Sequence, residues 1–406
     1  MGNATKTTVG FIGTGHMASA IARRLSDVRF LLNNRTPAKA EALAERLEDA
    51  AVADLATVCR ESRFVFLGVK PTDMETVGEA VASYESDAVF VSMAAGLSLS
   101  SLAELFPGRK LLRIMPNTPV EVGKGLTFLA HGKDIGRTVI EDFVSLMGPC
   151  GETREVEEAA IDAASVLTGS APAYLDFFLD ALAEAGAKLG IPKEDATDYV
   201  LAMAEGAVAL ARQTGQSPVA LGKAVCSPGG STIEGVEVLL GKGMYEDLGF
   251  AAAATYYKNR ALGGKYPFYG SLNAMALPVD ERFAKVLNPY RLYDILSTLW
   301  STDTCAPRMR GEWSEDNKTL GQCSITAFLV QDIFGGEVYG VPLGDGAFHC
   351  FNKVGDKVFD LTSEQFLPKV LDYPLDYPQS RETHFAKEEK RLRYEALKAA
   401  LVKAIS

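Results

Sequence analysis

Short apolar runs alternate with helical patterns up to about residue 150. The runs are Thr8–Ile12, Phe30–Leu32, Phe64–Val69, Ala88–Gly96 and Lys110–Pro119. Between them, apolar residues recur at helical spacing, and glycine, proline or asparagine marks the turns. This alternation predicts a parallel, doubly wound α/β sheet of the Rossmann type, which binds ligands at the carboxyl ends of its strands. We assign this domain to residues 1–152.

From about Glu155 the pattern becomes helical and rich in alanine. Apolar residues occupy more than one face of these segments, which indicates burial against a second subunit. We therefore predict an all-α substrate and dimerisation domain over residues 153–264, followed by a linker over 265–283. The remaining residues, 284–406, combine a helix ending at Phe334, two strands and a charged helix over Glu388–Ile405, which predicts a separate α+β domain.

Composition limits the possible functions. The chain has 406 residues, of which 47% are hydrophobic and 23% charged, so two or three globular domains are expected. A net charge of −11 disfavours nucleic acid as a partner, because no stripe of Lys and Arg offsets it. No apolar run reaches the roughly 18 residues of a membrane span. The six cysteines lack metal-ligand or disulfide spacing, which favours a cytoplasmic location and no metal site.

A glycine motif follows the first predicted strand directly. Its residues are Gly13, Thr14, Gly15, His16, Met17 and Ala18. In this context G-x-G-x-x-A binds the pyrophosphate of a dinucleotide. The second predicted strand ends at Asn34, Arg35 and Thr36, where an NAD-binding domain carries Asp or Glu. Because arginine can pair with a 2′-phosphate instead, NADPH is the predicted cofactor, with NADH possible.

Further cofactor contacts are expected where the later strands end. The candidates are Val69, Lys70 and Pro71, then Ala94, Ala95 and Gly96, and finally Asn117. Since the carboxyl ends of parallel strands meet at one edge of the sheet, the nicotinamide should lie beside these residues. Arg113, within the last strand, is predicted to be structural.

A second glycine-rich turn follows the helical segments, at Ser227, Pro228, Gly229, Gly230, Ser231 and Thr232. Ser231 or Thr232 stands where a helix N-cap belongs, before an apolar-periodic run through Leu240. Such a turn offers backbone N–H groups and hydroxyls at the positive end of a helix, which suits a small carboxylate. We assign substrate binding to Ser227, Gly229, Gly230, Ser231 and Thr232.

Residues 8 to about 262 resemble pyrroline-5-carboxylate reductases. The resemblance is carried by the motifs above together with Arg113–Pro119 and Gly169–Tyr174, in family-like order and spacing. It implies that NADPH gives a hydride to the C=N carbon of 1-pyrroline-5-carboxylate, forming L-proline. It also implies an intertwined homodimer or higher homo-oligomer, in which the loop can act on a neighbour's cofactor.

Ser227 and Thr232 are the expected catalytic residues of the reductase, with the Thr232 hydroxyl bonded to the ring nitrogen. No Asp, Glu, Lys or His stands out as a general acid, so the proton is expected from solvent, from the imine itself or through Thr232. Two alternatives stay open: reduction of a related cyclic imino acid with a larger ring, and an NADPH-sensing scaffold without catalysis.

The C-terminal part carries a candidate thiol site. Cys323 opens a predicted helix, a position that lowers the pKa of a thiol, and His349 and Asp360 lie on the two strands that follow. This order matches papain- or transglutaminase-type thiol enzymes, with Gln322 as a candidate oxyanion-hole donor. The segment also resembles the uncharacterised YunG-type family, which implies no reaction. An interaction or ligand-binding module with a buried cysteine is therefore the alternative.

The motifs that carry this second resemblance are Trp313-Ser314, Gly321-Gln322-Cys323, Val330-Gln331-Asp332, Gly335-Gly336, His349 and Asp360-Leu361-Thr362.

Overall fold

The computed structural model describes residues 6–344 and 346–406. The chain divides into two compact units, Met1–Ala252 and Ala253–Ser406. Residues 1–5 of the predicted first domain lie outside the described residues. In the part of the chain that is described, none of the helices has both the length and the apolarity that crossing a membrane requires.

One sheet forms the framework of the first unit. Its strands are β1 (Thr7–Ile12), β2 (Val28–Asn33), β3 (Ala50–Val52), β4 (Phe64–Leu67), β5 (Val89–Ser92), β6 (Lys110–Met115), β7 (Gly125–His131) and β8 (Gly151–Glu155). They follow the order β3-β2-β1-β4-β5-β6-β7-β8, and all neighbours are parallel except β6 and β7. The predicted Rossmann-type sheet is thereby confirmed, and three further strands, β3, β7 and β8, join it.

The connecting helices are α1 (His16–Arg24), α2 (Pro37–Ala44), α3 (Leu55–Glu61), α4 (Met74–Val81), α5 (Leu99–Leu105) and α6 (Arg137–Met147). All four residues of β4 are buried, as expected for a central strand of a sheet that is covered on both faces. The ring of Phe11 on β1 stacks on Phe66 of β4 with centroids 4.8 Å apart. This stack lies in the core beneath the point where the chain crosses from one half of the sheet to the other.

The helical segment comprises α7 (Glu158–Ser165), α8 (Ala171–Lys188), α9 (Lys193–Thr214), α10 (Pro218–Ala224), α11 (Ser231–Gly241) and α12 (Met244–Leu262). A π-helical turn over Val166–Ser170 joins α7 to α8. Large apolar side chains stay exposed on these helices and beside them: Phe177 of α8 is 78% exposed and Leu189, directly after α8, is 84% exposed, whereas only Ala183 of α8 is buried. Apolar surface gains roughly 25 cal/mol per Å² on burial, so these faces favour association.

The second unit is an α+β structure, as predicted. It begins with the second half of α12, from Ala253, and its further helices are α13 (Pro289–Leu299), α14 (Cys323–Phe334), α15 (Arg381–Phe385) and α16 (Glu388–Ile405). Its strands are β9 (Glu337–Gly344), β10 (Ala347–Val354) and β11 (Lys357–Phe359). The strands form an antiparallel sheet in the order β11-β10-β9. Helix α14 packs on β10, where Asn352 Nδ2 donates a buried 2.9 Å hydrogen bond to the carbonyl of Ala327.

The linker prediction for residues 265–283 is wrong. Tyr266, Phe268 and Phe283 are each at most 3% exposed and belong to the core of the second unit. The ring of Phe268 lies 5.2 Å from that of Tyr293 on α13. Glycine and proline in this segment shape turns that return aromatic side chains to the core, so the segment is part of the folded unit.

Replacing Phe268 by Ala should therefore destabilise the second unit by about 3–5 kcal/mol, the usual cost of emptying a buried aromatic site. The matched control is Leu277→Ala in the same segment, where the side chain is 53% exposed and a change of about 0.5 kcal/mol or less is expected. Both tryptophans, Trp300 and Trp313, lie in this unit, so denaturation followed by tryptophan fluorescence reports on it alone. Equal midpoints for the two variants would restore the linker interpretation.

Candidate functional site

A cleft of about 360 Å³ lies where β1, β2 and β4 end. Seven residues named from the sequence line it: Gly13, Thr14, Gly15, Asn34, Arg35, Val69 and Lys70. Lys39 and Asp73 also line it and were not predicted. Three cations and one carboxylate therefore surround the cleft, and this balance suits an anionic ligand.

The glycines bring the first turn of α1 close against the loop after β4. Gly13 has a φ of +92°, and a Cβ there would lie 2.7 Å from the carbonyl carbon of Gly68. A Cβ on Gly68 would in turn lie 2.4 Å from the carbonyl oxygen of Gly13 and 2.7 Å from Cβ of Ala18. Neither contact is sterically possible, so glycine is required at both positions and a small residue at position 18.

The same turn leaves hydrogen-bond donors for a ligand. Gly15 is the N-cap of α1 and supplies no side-chain acceptor, so the first N–H groups of the helix keep their capacity to bind an anion. The hydroxyl of Thr14 is buried and has no hydrogen-bond partner among the described residues. Both features fit the pyrophosphate of a dinucleotide.

Arg35 extends from the end of β2, and its side chain is 89% exposed. It forms a long ion pair with Asp73, with Nη1 and Oδ1 4.0 Å apart, so this contact does not hold the guanidinium closely. Lys39 approaches the same cleft because Pro37 starts α2 and places position 39 in the first helical turn. The sequence signal that could have identified Lys39 is its short distance along the chain from Arg35, with a proline between them at a position typical of a helix start.

The other predicted cofactor residues do not line this cleft; they are His16, Met17, Thr36, Pro71, Ala94, Ala95, Gly96 and Asn117. Asn117 is buried, and its Oδ1 accepts a 2.8 Å hydrogen bond from the N–H of Leu126. His16 points to the surface, where Nε2 lies 3.1 Å from Glu121. Cofactor contact by these residues stays a prediction.

Arg113 is buried, and it forms ion pairs with Glu158 and Asp162 of α7. Glu158 also accepts a 2.5 Å hydrogen bond from the N–H of Leu99 at the start of α5. The structural role predicted for Arg113 is therefore the one observed: it ties β6 to the first helix of the helical segment.

The glycine-rich turn before α11 differs from the prediction by one residue. Gly230, and neither Ser231 nor Thr232, is the N-cap, because its backbone is extended at φ −80° and ψ 163° while Ser231 is already helical. Gly229 has a φ of +70°, and the N–H of Gly230 donates to the carbonyl of Ser227 at 2.9 Å. No side chain caps α11, so its first N–H groups stay available to a ligand, and Ser231 and Thr232 beside them are both exposed. None of these residues lines the dinucleotide cleft.

In the second unit, His349 and Asp360 are in contact, and Cys323 lies close enough for the charge of His349 to act on it. Cys323 is the first residue of α14 and is partly exposed, whereas His349 and Asp360 are each 1% exposed. His349 Nε2 lies 2.5 Å from Asp360 Oδ2. Asp360 is held in turn by Thr362, whose N–H and hydroxyl both donate to Oδ1 at 2.9 Å, and by the hydroxyl of Tyr373.

Electrostatics at this site favour a thiolate and an imidazolium. Hydrogen bonds from Cys350 and the charge of His349 hold the pKa of Cys323 well below its usual range, although burial opposes them. Burial alone would lower the pKa of His349, but the charges of Asp360 and Cys323 outweigh it and raise that pKa to about 10. The contribution of Cys350 was not predicted, since nothing in the sequence separates it from an ordinary core cysteine.

The oxyanion-hole role suggested for the Gln322 side chain is not supported. The residue is fully buried, and its Nε2 donates to the carbonyl of Ser301 at 3.1 Å. It supports the loop before α14 instead. Arg393 of α16 supports the same loop by donating to the carbonyls of Thr304 and Gly321, both at 3.0 Å.

Known protein families match segments in both parts of the chain. The family model described as "Pyrroline-5-carboxylate reductase dimerisation" matches residues 158–262, and "NADP oxidoreductase coenzyme F420-dependent" matches residues 8–96. The pyrroline-5-carboxylate reductase of Corynebacterium melassecola is 33% identical over 63% of this chain and 99% of its own length. The enzyme of Escherichia coli is also 33% identical, over 60% of this chain and 92% of its own.

The chain belongs to the pyrroline-5-carboxylate reductase family and is an oxidoreductase. Solved structures agree: the reductase of Streptococcus pyogenes superposes with a TM-score of 0.58 at 31% identity, covering 63% of this chain and 98% of that one. The Plasmodium falciparum enzyme, solved with NADP bound, gives 0.57 at 25% identity and covers 64% and 100%. The family model "YunG protein" matches residues 288–406, so a YunG-type segment follows the reductase part.

The lowered pKa of Cys323 predicts how the rate of its alkylation by iodoacetamide depends on pH. An ordinary thiol loses roughly tenfold in thiolate for each pH unit below its pKa, whereas Cys323 should keep its rate from pH 9 down to neutral pH or lower. Asp360→Asn removes the charge that raises the pKa of His349, so the pKa of Cys323 should rise and its pH profile should move to higher pH. Asp356→Asn, an exposed neighbour, is the control. Rates are followed by mass spectrometry of the Cys323 peptide, and a profile like that of a free thiol would contradict the ion pair.

Proposed function

We propose that this chain reduces 1-pyrroline-5-carboxylate to L-proline with NADPH, the last step of proline biosynthesis. The observation that carries the proposal is the pairing of two uncapped helix starts in the reductase part. One, at Gly15, opens onto the cationic dinucleotide cleft, and the other, at Gly230, carries the hydroxyls of Ser231 and Thr232. The identity of the substrate is inferred from the relatives, which are pyrroline-5-carboxylate reductases.

NADPH supplies the hydride. The chain contributes the surfaces that hold it: N–H groups at α1 and the Thr14 hydroxyl for the pyrophosphate, and Arg35 with Lys39 for the 2′-phosphate. We assign Lys70, which follows β4 and lines the cleft, to a further contact with the ligand. Positioning beside the nicotinamide supplies most of the catalysis, because none of the described acidic or basic side chains is buried at either helix start.

The substrate carries one carboxylate and one imine nitrogen. We assign the carboxylate to the N–H groups at the start of α11 and the Ser227 and Ser231 hydroxyls, and the ring nitrogen to the Thr232 hydroxyl. A second copy of the chain completes the site, since the exposed apolar faces of α8–α12 favour a partner and residues 227–232 do not line the cleft of their own chain. The segment 158–262, which matches the dimerisation family model, contains most of these faces.

A second function is proposed for the C-terminal unit: a thiol hydrolase or transferase in which Cys323 is the nucleophile, His349 the general base and acid, and Asp360 its orienting partner. The contact between His349 and Asp360, beside a thiol at a helix start, favours this role. A papain- or transglutaminase-like arrangement of the unit accords with it. The alkylation profile above tests its first requirement.

Arg35→Ala should raise the KM for NADPH by roughly 10- to 100-fold, the effect of losing a charge-assisted hydrogen bond. The KM for NADH should hardly change, because NADH has no 2′-phosphate. The control is Arg60→Ala, an exposed arginine outside the cleft. Both constants come from the decrease in cofactor absorbance with pyrroline-5-carboxylate, and an unchanged preference between the cofactors would refute the assignment.

Thr232→Ala should lower kcat for pyrroline-5-carboxylate by roughly tenfold while the affinity for NADPH stays close to that of the wild type. Thr232→Ser keeps the hydroxyl and should recover most of the rate. Turnover is measured by NADPH oxidation and affinity by fluorescence titration. If Ala and Ser behave alike, or if rate and cofactor affinity fall together, Thr232 does not contact the reacting nitrogen.

A further inference from the structure

We infer that Cys323 and Cys350 form a dithiol pair that exchanges with small disulfides such as glutathione disulfide and closes a reversible Cys323–Cys350 disulfide. The inference rests on the proposed thiol site, whose nucleophile it shares. It adds a second sulfur, on β10, to that site.

The packing of α14 on β10 sets these two residues side by side. The hydrogen bond from Asn352 Nδ2 to the carbonyl of Ala327 fixes the register between helix and strand. One helical turn before Ala327, a rise of about 6 Å, is Cys323. Two strand residues before Asn352, a rise of about 6.6 Å on the same face, is Cys350. The chain reverses between α14 and β9, and β9 pairs antiparallel with β10, so α14 and β10 run in the same direction. Equal steps toward the N-terminus in both elements therefore lead to the two cysteines.

Direct contact between the cysteines agrees with this register. Hydrogen bonding to the side chain and the backbone of Cys350 is a main cause that lowers the pKa of Cys323, which requires the two residues to be neighbours. Cys305, the other cysteine of this unit, is placed differently: it is buried, and its sulfur lies 3.5 Å from the carbonyl oxygen of Ala306. It provides an internal control for thiol chemistry.

The two thiols of the pair differ in exposure and in pKa, which suits two successive steps of thiol–disulfide exchange. Cys323 is the more exposed residue of the two, and we assign it as the sulfur that a disulfide from solution meets first. Cys350 is 1% exposed and lies in the core, so it can be reached only from Cys323. Contact with Cys323 and burial raise the pKa of Cys350, which keeps it protonated until it reacts. An accessible thiolate beside a buried thiol is the arrangement that thiol–disulfide exchange requires.

The reaction balances without a further oxidant. The Cys323 thiolate attacks a disulfide RS–SR, forming Cys323–S–SR and releasing RS⁻, which takes up the proton held by His349. Cys350 then attacks the Cys323 sulfur, the Cys323–SR bond breaks, and the Cys350 proton passes to the second RS⁻. Two cysteine thiols are oxidised, and one external disulfide is reduced to two thiols RSH.

Closure occupies the sulfur that the proposed thiol chemistry needs, and excess thiol reopens it by the reverse exchange. Resolution by Cys350 also removes the mixed disulfide on Cys323 and protects that sulfur from oxidation beyond the disulfide level. The site is therefore active under reducing conditions and reversibly blocked in the presence of disulfides.

The test is to treat the full-length protein with glutathione disulfide and map the cysteine peptides by mass spectrometry without reduction. The wild type should yield a peptide pair joined through Cys323 and Cys350, with little glutathione retained on Cys323. Cys350→Ser should instead retain glutathione on Cys323, and Cys323→Ser should lose both products. Cys305→Ser should behave as the wild type, and dithiothreitol should restore alkylation of Cys323 in the wild type.

The outcomes separate this inference from the proposed thiol site. If Cys323 of the wild type is alkylated rapidly but glutathione stays bound to it as in Cys350→Ser, the dithiol inference is overturned and the thiol site stands. If Cys323 reacts with neither iodoacetamide nor glutathione disulfide, both fall. The wild-type measurement alone decides the first question, so it does not depend on the folding of any variant.

Discussion

The close approach of Gly13 and Gly68 is the constraint on which the reductase part depends. It brings the turn after β1 against the end of β4, with no room for a Cβ on either residue. Through Ala18 the same contact fixes α1 on the sheet, so the first N–H groups of that helix open onto the cleft at the strand ends. The cations of the cleft, Arg35, Lys39 and Lys70, are useful only because this backbone arrangement sets where the anion lies.

Three helix starts recur as the chemically important points of the chain, and none has a side-chain cap: α1 at Gly15, α11 at Gly230 and α14 after Gln322. By contrast, α3, α5 and α13 are capped by Asp54, Ser98 and Asn288. A side-chain cap would satisfy the N–H groups that the proposed dinucleotide, carboxylate and thiolate need. Uncapped starts also occur at structural helices such as α6, so the missing cap acquires meaning only from the groups around it.

The sequence predicted what depends on local chemistry. The buried run of β4 and the glycines of the first turn were recognisable because few residue types suit these positions. The order of Cys323, His349 and Asp360 along the chain was recognisable for the same reason. Strands β3 and β8 were missed because one has three residues and the other is largely polar and exposed at the sheet edge.

Features that depend on distant packing were not predictable in the same way. The segment 265–283 has the composition of a linker, and only the aromatic cluster around Tyr290 shows why it folds back. Cys350 has no distinguishing pattern of its own, and Lys39 is marked only by its short distance from Arg35 through Pro37. Each acquires its place from a neighbouring element, α2 beside the cleft for Lys39 and the register of β10 with α14 for Cys350.

The most direct measurement is a crystal structure of the full-length protein with NADP and L-proline bound. We expect the proline carboxylate on the N–H groups at the start of α11, with the ring nitrogen within hydrogen-bonding distance of the Thr232 hydroxyl and the nicotinamide on the ring's other side. Proline bound away from residues 227–232, or a dinucleotide outside the cleft formed by Gly13, Arg35 and Lys70, would contradict the proposed reductase site.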